Sequence, residues 1–163
     1  MRTVRDLIHD YQHVIADLTL VMGSKGVFDV DVDGEFHTID RAGINPRPAE
    51  PVPIWFGGRA PALLERCARI GDGWVPIDKP DDATRERIAT IRRLREAAGG
   101  SMDGFAIQAQ AQYAGGDPER WRRHADRWRE LGATHLAIAT HRAGPTDVDG
   151  HLARVAEYQA AVR

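Results

Sequence analysis

The chain has 163 residues, a formal net charge of -2 and one cysteine, with 42% of its residues hydrophobic. One domain with a sizeable core is expected at this length. The near-neutral balance gives no electrostatic reason to expect nucleic acid or an anionic membrane as partner, and a lone cysteine rules out an intrachain disulfide framework. No run approaches the roughly 18 apolar residues of a membrane helix. The start, Met1-Arg2-Thr3-Val4-Arg5-Asp6, lacks the apolar centre of a signal peptide. A cytoplasmic protein is expected, and the many prolines and arginines fit a bacterial one.

In chain order, Val4, Leu7, Ile8, Tyr11, Val14, Ile15 and Leu18 recur at helical spacing, predicting a helix from about Thr3 to Leu20 that ends at Gly23-Ser24-Lys25-Gly26. Alternation in Val27–Val32 and Glu35–Ile39 around Asp33-Gly34 predicts a β-hairpin. The Pro-rich stretch from Asn45 to Pro53 reads as an extended connector. From there strands and helices alternate. The predicted strands are Val52–Phe56, Trp74–Ile77, Phe105–Tyr113 and His135–Thr140. The predicted helices are Pro61–Ile70, Ala83–Ala97, Pro118–Leu131 and Val148–Ala161. Four βα units in a row predict an α/β fold with parallel strands. The residues alone leave an open sheet and half of a barrel as equal alternatives.

The sharpest local signal is the passage from the first of these strands into its helix. Gly57-Gly58 allows close backbone approach and positive φ, and Pro61 suits the first helical turn. Leu63, Leu64, Cys67 and Ile70 are predicted to share one buried face, with Gly71 as the stop. A glycine turn feeding a helix N-terminus presents free N–H groups and the positive end of the helix dipole to an anion. The plainer reading is a tight strand-to-helix turn.

The run Pro51-Val52-Pro53-Ile54-Trp55-Phe56-Gly57-Gly58-Arg59, the helix Ala62 to Ile70, and Gly71-Asp72-Gly73-Trp74-Val75-Pro76 together resemble the luciferase-like monooxygenase family. Gly34-Glu35-Phe36-His37 and Asn45-Pro46-Arg47-Pro48 resemble the lead-in to that segment. The family comprises flavin- and deazaflavin-dependent (β/α)8 barrel enzymes of roughly twice this length. The resemblance implies four parallel βα units forming the C-terminal half of a TIM-type barrel, preceded by a helix and a hairpin. It places residues 1–50 as lead-in and 51–163 as the βα units of a single truncated domain.

The same resemblance implies coenzyme F420, preferred, or FMN as cofactor, with hydride transfer or monooxygenation on a small-molecule substrate. Gly57, Gly58 and Arg59 would hold the cofactor phosphate. Ala60 departs from the hydroxyl residue many members carry there. Lys79 and Arg142 follow strands at the end where barrel chemistry occurs and are further candidates for phosphate contact, though Lys79 also reads as a solvated surface lysine. Catalytic residues are not identifiable, because much of the family's catalytic equipment comes from the first four strands. A homodimer or a missing N-terminal half would complete the barrel. The alternative is a non-catalytic half-barrel remnant, acting as a binding or oligomerisation module. A third reading is an independent half-barrel for phosphate ligands.

Other residues point to structure. Asp72 is expected to accept backbone hydrogen bonds in a turn, Trp74 to lie in the core, and Trp55 to face either the barrel interior or the helices. Trp121, Ala125, Trp128 and Leu131 share a predicted core face. Arg85, Arg87, Arg92, Arg93 and Arg95 read as a solvated outer face. Asp29, Asp31, Asp33 and Asp40 imitate a calcium loop, but Gly23, Gly26, Pro46 and Pro48 deny it flanking helices. His9 and His13 lack a third metal ligand.

Overall fold

The structure is a computed structural model that describes residues 30–33, 38–42, 49–50, 52–141, 143–144 and 147–163. The helix expected near the N-terminus, with His9 and His13, lies outside the described residues, as does Arg142. The chain divides into two units, Met1–Val52 and Pro53–Arg163.

In the first unit, β1 (Val30–Asp33) pairs antiparallel with β2 (Thr38–Ala42). Asp33 sits opposite Thr38 and Val32 opposite Ile39, with a register shift between Val30 and Val32. The hairpin is present, but Asp33-Gly34 is not its two-residue turn. Such a turn would set Val32 against Glu35. The observed register sets it against Ile39.

In the second unit the order is β3 (Trp55–Gly57), α1 (Pro61–Ile70), β4 (Gly73–Val75), α2 (Asp82–Ala97), β5 (Ala106–Gln112), α3 (Pro118–Glu130), β6 (His135–Ala139) and α4 (Val148–Val162). The four strands are parallel neighbours in chain order. β3 and β4 are shorter than predicted because Pro53 and Pro76 have no N–H to give a ladder. Crossovers of one hand between sequential strands put every helix on one face of the sheet. A doubly wound sheet would carry helices on both.

The register sorts the side chains. Phe56, Trp74 and Ile107 share a row, and with Ala109 and Ala111 they are buried. Further along this face Ala111 and Tyr113 cluster with Trp121 of α3 and Tyr158 of α4. Trp121, Ala125, Trp128 and Leu131 are all buried, as their spacing predicts. Trp55, Gly73 and Ala106 form the opposite row. There the Trp55 ring meets the His135 ring edge-on at 5.0 Å, across two intervening strands. A Cβ on Gly73 would fall 2.8 Å from Trp55 Cδ1 and 3.0 Å from Ala106 Cβ. Gly73 therefore makes room for the indole to lie over the sheet, and Trp55 faces away from the helices.

Two expectations about helix faces need correction. On α1, Leu64, Cys67 and Ala68 are buried, whereas Ile70 is 40% exposed and Leu63 only half-buried. At about 100° per residue, Ile70 and Leu63 lie roughly 100–120° round from Leu64, at the rim of the stripe. On α2, Arg85, Arg92 and Arg93 are exposed, but Arg87 and Arg95 turn inward. Arg95 donates to the carbonyls of Ala68 and Gly71 at 3.2 and 2.8 Å and lies over the Phe105 ring at 4.6 Å. It thus satisfies carbonyls that the end of α1 leaves open.

Cys67 has no exposed surface, and its thiol donates to the Gly73 carbonyl at 3.4 Å. Burial pushes its pKa up to about 12, opposed by the charge of Arg95. At pH 8 only about one thiol in ten thousand would then be thiolate, the reactive form. Cys67 is expected to resist iodoacetamide in the folded protein and to be alkylated readily in denaturant. Mass spectrometry of the two samples checks this, and comparable labelling in both would contradict the burial.

Candidate functional site

The C-terminal ends of β3 and β4 bring together the strongest candidate. Trp55-Phe56-Gly57 ends at Gly58, whose φ of +122° lies in the region glycine alone occupies easily. The carbonyl of Gly58 accepts the Trp74 indole N–H at 2.7 Å, so this core tryptophan also pins the turn. The Gly58 amide donates to Val75 O at a long 3.4 Å. It is taken by the chain itself, so Gly58 serves as a conformational hinge more than as a free donor. A Cβ on Gly57 would meet only Val75 O, at an ordinary 3.8 Å.

The open donors lie just beyond. Among the described residues, no acceptor is bonded to the amides of Arg59, Ala60 or Ala62, and Pro61 has none to offer. Ala60 is the N-cap of α1 and supplies no side-chain acceptor. The other three described helices of this unit are capped by Asp81, Asp117 and Asp147, each accepting an amide three residues on. α1 is thus the exception, a helix mouth with three unsatisfied N–H groups at the C-terminal edge of parallel strands.

Arg59 points its guanidinium at Asp78, 3.5 Å away, and is itself 65% exposed. The other Asp78 oxygen takes Arg87 at 3.1 Å, and the Asp78 side chain is only 9% exposed. A carboxylate just after β4 thus holds one arginine from the glycine turn and one from α2. Sequence reasoning passed over Asp78; its signal was an acid at the functional end of a strand, beside Lys79. Lys79 is exposed and lines a different cleft, with Arg120, Arg123 and Arg127 of α3. The structure therefore groups Gly57, Gly58 and Arg59 but sets Lys79 in separate company. Asp72 does what its place in the turn predicts. Its carboxylate accepts the Ile54 amide at 2.8 Å, and its own amide donates to Ile54 O at 2.8 Å.

The family pattern described as luciferase-like monooxygenase matches residues 5–162. The chain belongs to the luciferase-like monooxygenase family. An uncharacterized protein of Mycobacterium tuberculosis is 40% identical over 83 residues, 45% of this chain and 28% of that protein. An F420-dependent glucose-6-phosphate dehydrogenase of Nakamurella multipartita is 36% identical over 76 residues, 45% of this chain and 22% of that protein.

Among solved structures, an F420-dependent secondary alcohol dehydrogenase in complex with an F420-acetone adduct superposes with a TM-score of 0.58. Its identity is 13%, and the match covers 99% of this chain and 55% of that one. A monooxygenase from Streptomyces bottropensis gives a TM-score of 0.50 at 18% identity, covering 98% of this chain and 50% of that one. These structures share the fold of four parallel strands alternating with helices. The matched segments span about a quarter of the length of these curated relatives. Among the described residues, no helix is long and apolar enough to cross a membrane.

Proposed function

We propose that this chain forms the phosphate-holding part of a flavin- or deazaflavin-dependent oxidoreductase, binding coenzyme F420 in preference to FMN. The observation that carries the reading is the uncapped mouth of α1, with the Arg59, Ala60 and Ala62 amides open beside a glycine turn. A phosphate there would be met by three N–H groups and the helix dipole. Gly57 keeps side-chain bulk away from it, Gly58 makes the turn, and Arg59 adds a charge already partly balanced by Asp78. Arg142, which follows β6 in the chain, is proposed as a further cation, whereas Lys79 lines the separate cleft beside α3 and is not part of this phosphate site. The preference for F420 rests on the 36%-identical relative named for that coenzyme.

The bound cofactor would supply hydride or activate oxygen, acting on a small molecule. The protein's part is to bind and orient it. The face that carries Trp55 and His135, free of helices among the described residues, is where the remaining strands of a (β/α)8 barrel would pack. An N-terminal half-barrel is proposed to cover it, and a second copy of the chain is the other arrangement.

Titration with F420 and with FMN, followed by quenching of cofactor fluorescence, tests the reading. Saturable binding at roughly micromolar concentration is expected, tighter for F420. Gly57→Ala is expected to melt like the wild type, because its Cβ meets nothing tight, yet to bind about tenfold more weakly by crowding the phosphate. Absence of binding for either cofactor at high micromolar concentration removes the proposal for this chain alone. Unchanged affinity in Gly57→Ala removes the close backbone approach.

A further inference from the structure

The two candidate cofactors differ in the charge of their phosphate. FMN ends in a phosphate monoester, which carries close to two negative charges above a second pKa of about 6. In F420 the phosphate is a diester and carries one. Which of the two suits the mouth of α1 depends on the charges fixed around it.

Asp78 sets that balance. It follows β4, and the end of β4 is tied to the glycine turn by the Gly58 amide on Val75 O and by the Trp74 indole on Gly58 O. One Asp78 oxygen lies 3.5 Å from the Arg59 guanidinium, and the other lies 3.1 Å from that of Arg87. The carboxylate is therefore within one arginine's length of the open Arg59 amide. Asp78 is nearly buried whereas Arg59 is mostly exposed, so the negative charge is the less screened of the two.

Within this triad two positive charges meet one negative charge, leaving one positive in excess. The first turn of α1 adds no acid. A singly charged phosphate would bring the group to neutrality. A doubly charged one would leave a surplus negative charge near a carboxylate that has little water around it. The Arg59 fork, which would otherwise suit a terminal phosphate, is already turned to Asp78.

We propose that Asp78 makes the mouth of α1 selective for a singly charged phosphodiester over a doubly charged phosphate monoester. This rests on the cofactor reading above and names the residue behind its preference for F420. Asp78 is a positioning residue. It acts on the phosphate through Arg59 and through its own charge. Coulomb repulsion scales with the charge of the ligand, so the factor by which Asp78 weakens a monoester is about the square of the factor for a diester. Arg87 offsets that repulsion.

Riboflavin, FMN and the monomethyl ester of FMN share one fluorescent ring and differ only at the phosphate, with none, two and one negative charges. Each is titrated into the protein at pH 8 and low salt, followed by quenching of flavin fluorescence. The parent is expected to bind the methyl ester at least as tightly as FMN, and both more tightly than riboflavin. Asp78→Asn should strengthen binding of the methyl ester about threefold and of FMN about tenfold, which turns the preference toward FMN. Arg87→Gln leaves Asp78 with Arg59 alone and should do the reverse, weakening FMN about tenfold and the methyl ester about threefold. Disturbed packing would weaken both ligands alike, so opposite shifts in the two variants belong to charge. Arg93→Gln, exposed on α2, should leave the ratio unchanged. A parent that prefers FMN to its methyl ester, or a ratio that Asp78→Asn does not move, overturns the selectivity and leaves the phosphate site standing. Riboflavin binding as tightly as FMN removes the phosphate site, and the role of Asp78 with it.

Discussion

Gly71→Ala is expected to lower the unfolding free energy by about 2–3 kcal/mol, the scale of a forced overpacking. Backbone strain is not the reason. Gly71 has φ -91° and ψ 147°, an extended conformation open to any residue. The reason is space. An added Cβ would fall 2.6 Å from Cys67 O, 3.2 Å from Cys67 Cα and 3.0 Å from Phe56 Cδ2. Two of these atoms are backbone in the last turn of α1, and they are held in place. The Gly71 amide donates to the same Cys67 carbonyl at 2.9 Å, and Arg95 takes the Gly71 carbonyl at 2.8 Å. Relief therefore requires shifting the end of α1 against Phe56 or breaking the Arg95 cap. Gly100→Ala is the control, since its Cβ would come no nearer than 3.4 Å to Arg95 O. Surface changes of that kind stay within about 0.5 kcal/mol. Denaturant unfolding should show a lower midpoint for Gly71→Ala at unchanged slope; a midpoint equal to that of Gly100→Ala would refute the packing account.

The same glycine shows where sequence reading reaches its limit. Its position at the end of a helix is legible from spacing, but a C-terminal glycine suggests a left-handed cap, and here the requirement is steric. The alternation of strands and helices was legible because each helix carries a continuous apolar stripe with an aspartate or proline at its start. Trp121, Ala125, Trp128 and Leu131 illustrate it. What depends on register was not legible. The face chosen by Trp55 follows from its pairing with Gly73, and the inward turn of Arg87 and Arg95 follows from what α2 packs against. On the helical wheel alone they resemble Arg92 and Arg93, which stay in solvent. The candidate site divides along the same line. The glycine turn and the missing cap at Ala60 are local and visible in the residues. Capture of the Gly58 amide by Val75, and the bridging of Arg59 and Arg87 by Asp78, are tertiary and leave no mark on either segment.

Ala60→Asp should separate a helix mouth kept open for an anion from an ordinary turn, because it moves stability and binding in opposite directions. Ala60 already has the extended N-cap conformation, φ -66° and ψ 140°. An aspartate there could accept the open Ala62 amide or share the Leu63 amide, the equivalent of those that Asp81, Asp117 and Asp147 accept in their helices. The gain expected for such a cap, helped by the helix dipole, is about 1 kcal/mol, or about 2–4 °C in melting temperature. The carboxylate would also occupy part of the proposed phosphate site and repel the anion. Cofactor affinity is then expected to fall about a hundredfold, equivalent to about 2.8 kcal/mol. Ala60→Ser should give a smaller stability gain and keep the affinity, since a hydroxyl caps the helix without adding negative charge. If the turn only connects β3 to α1, both variants will be more stable and both will bind F420 and FMN as the parent does. A more stable Ala60→Asp protein with undiminished cofactor binding would therefore remove the phosphate site from the α1 mouth while leaving the fold assignment intact.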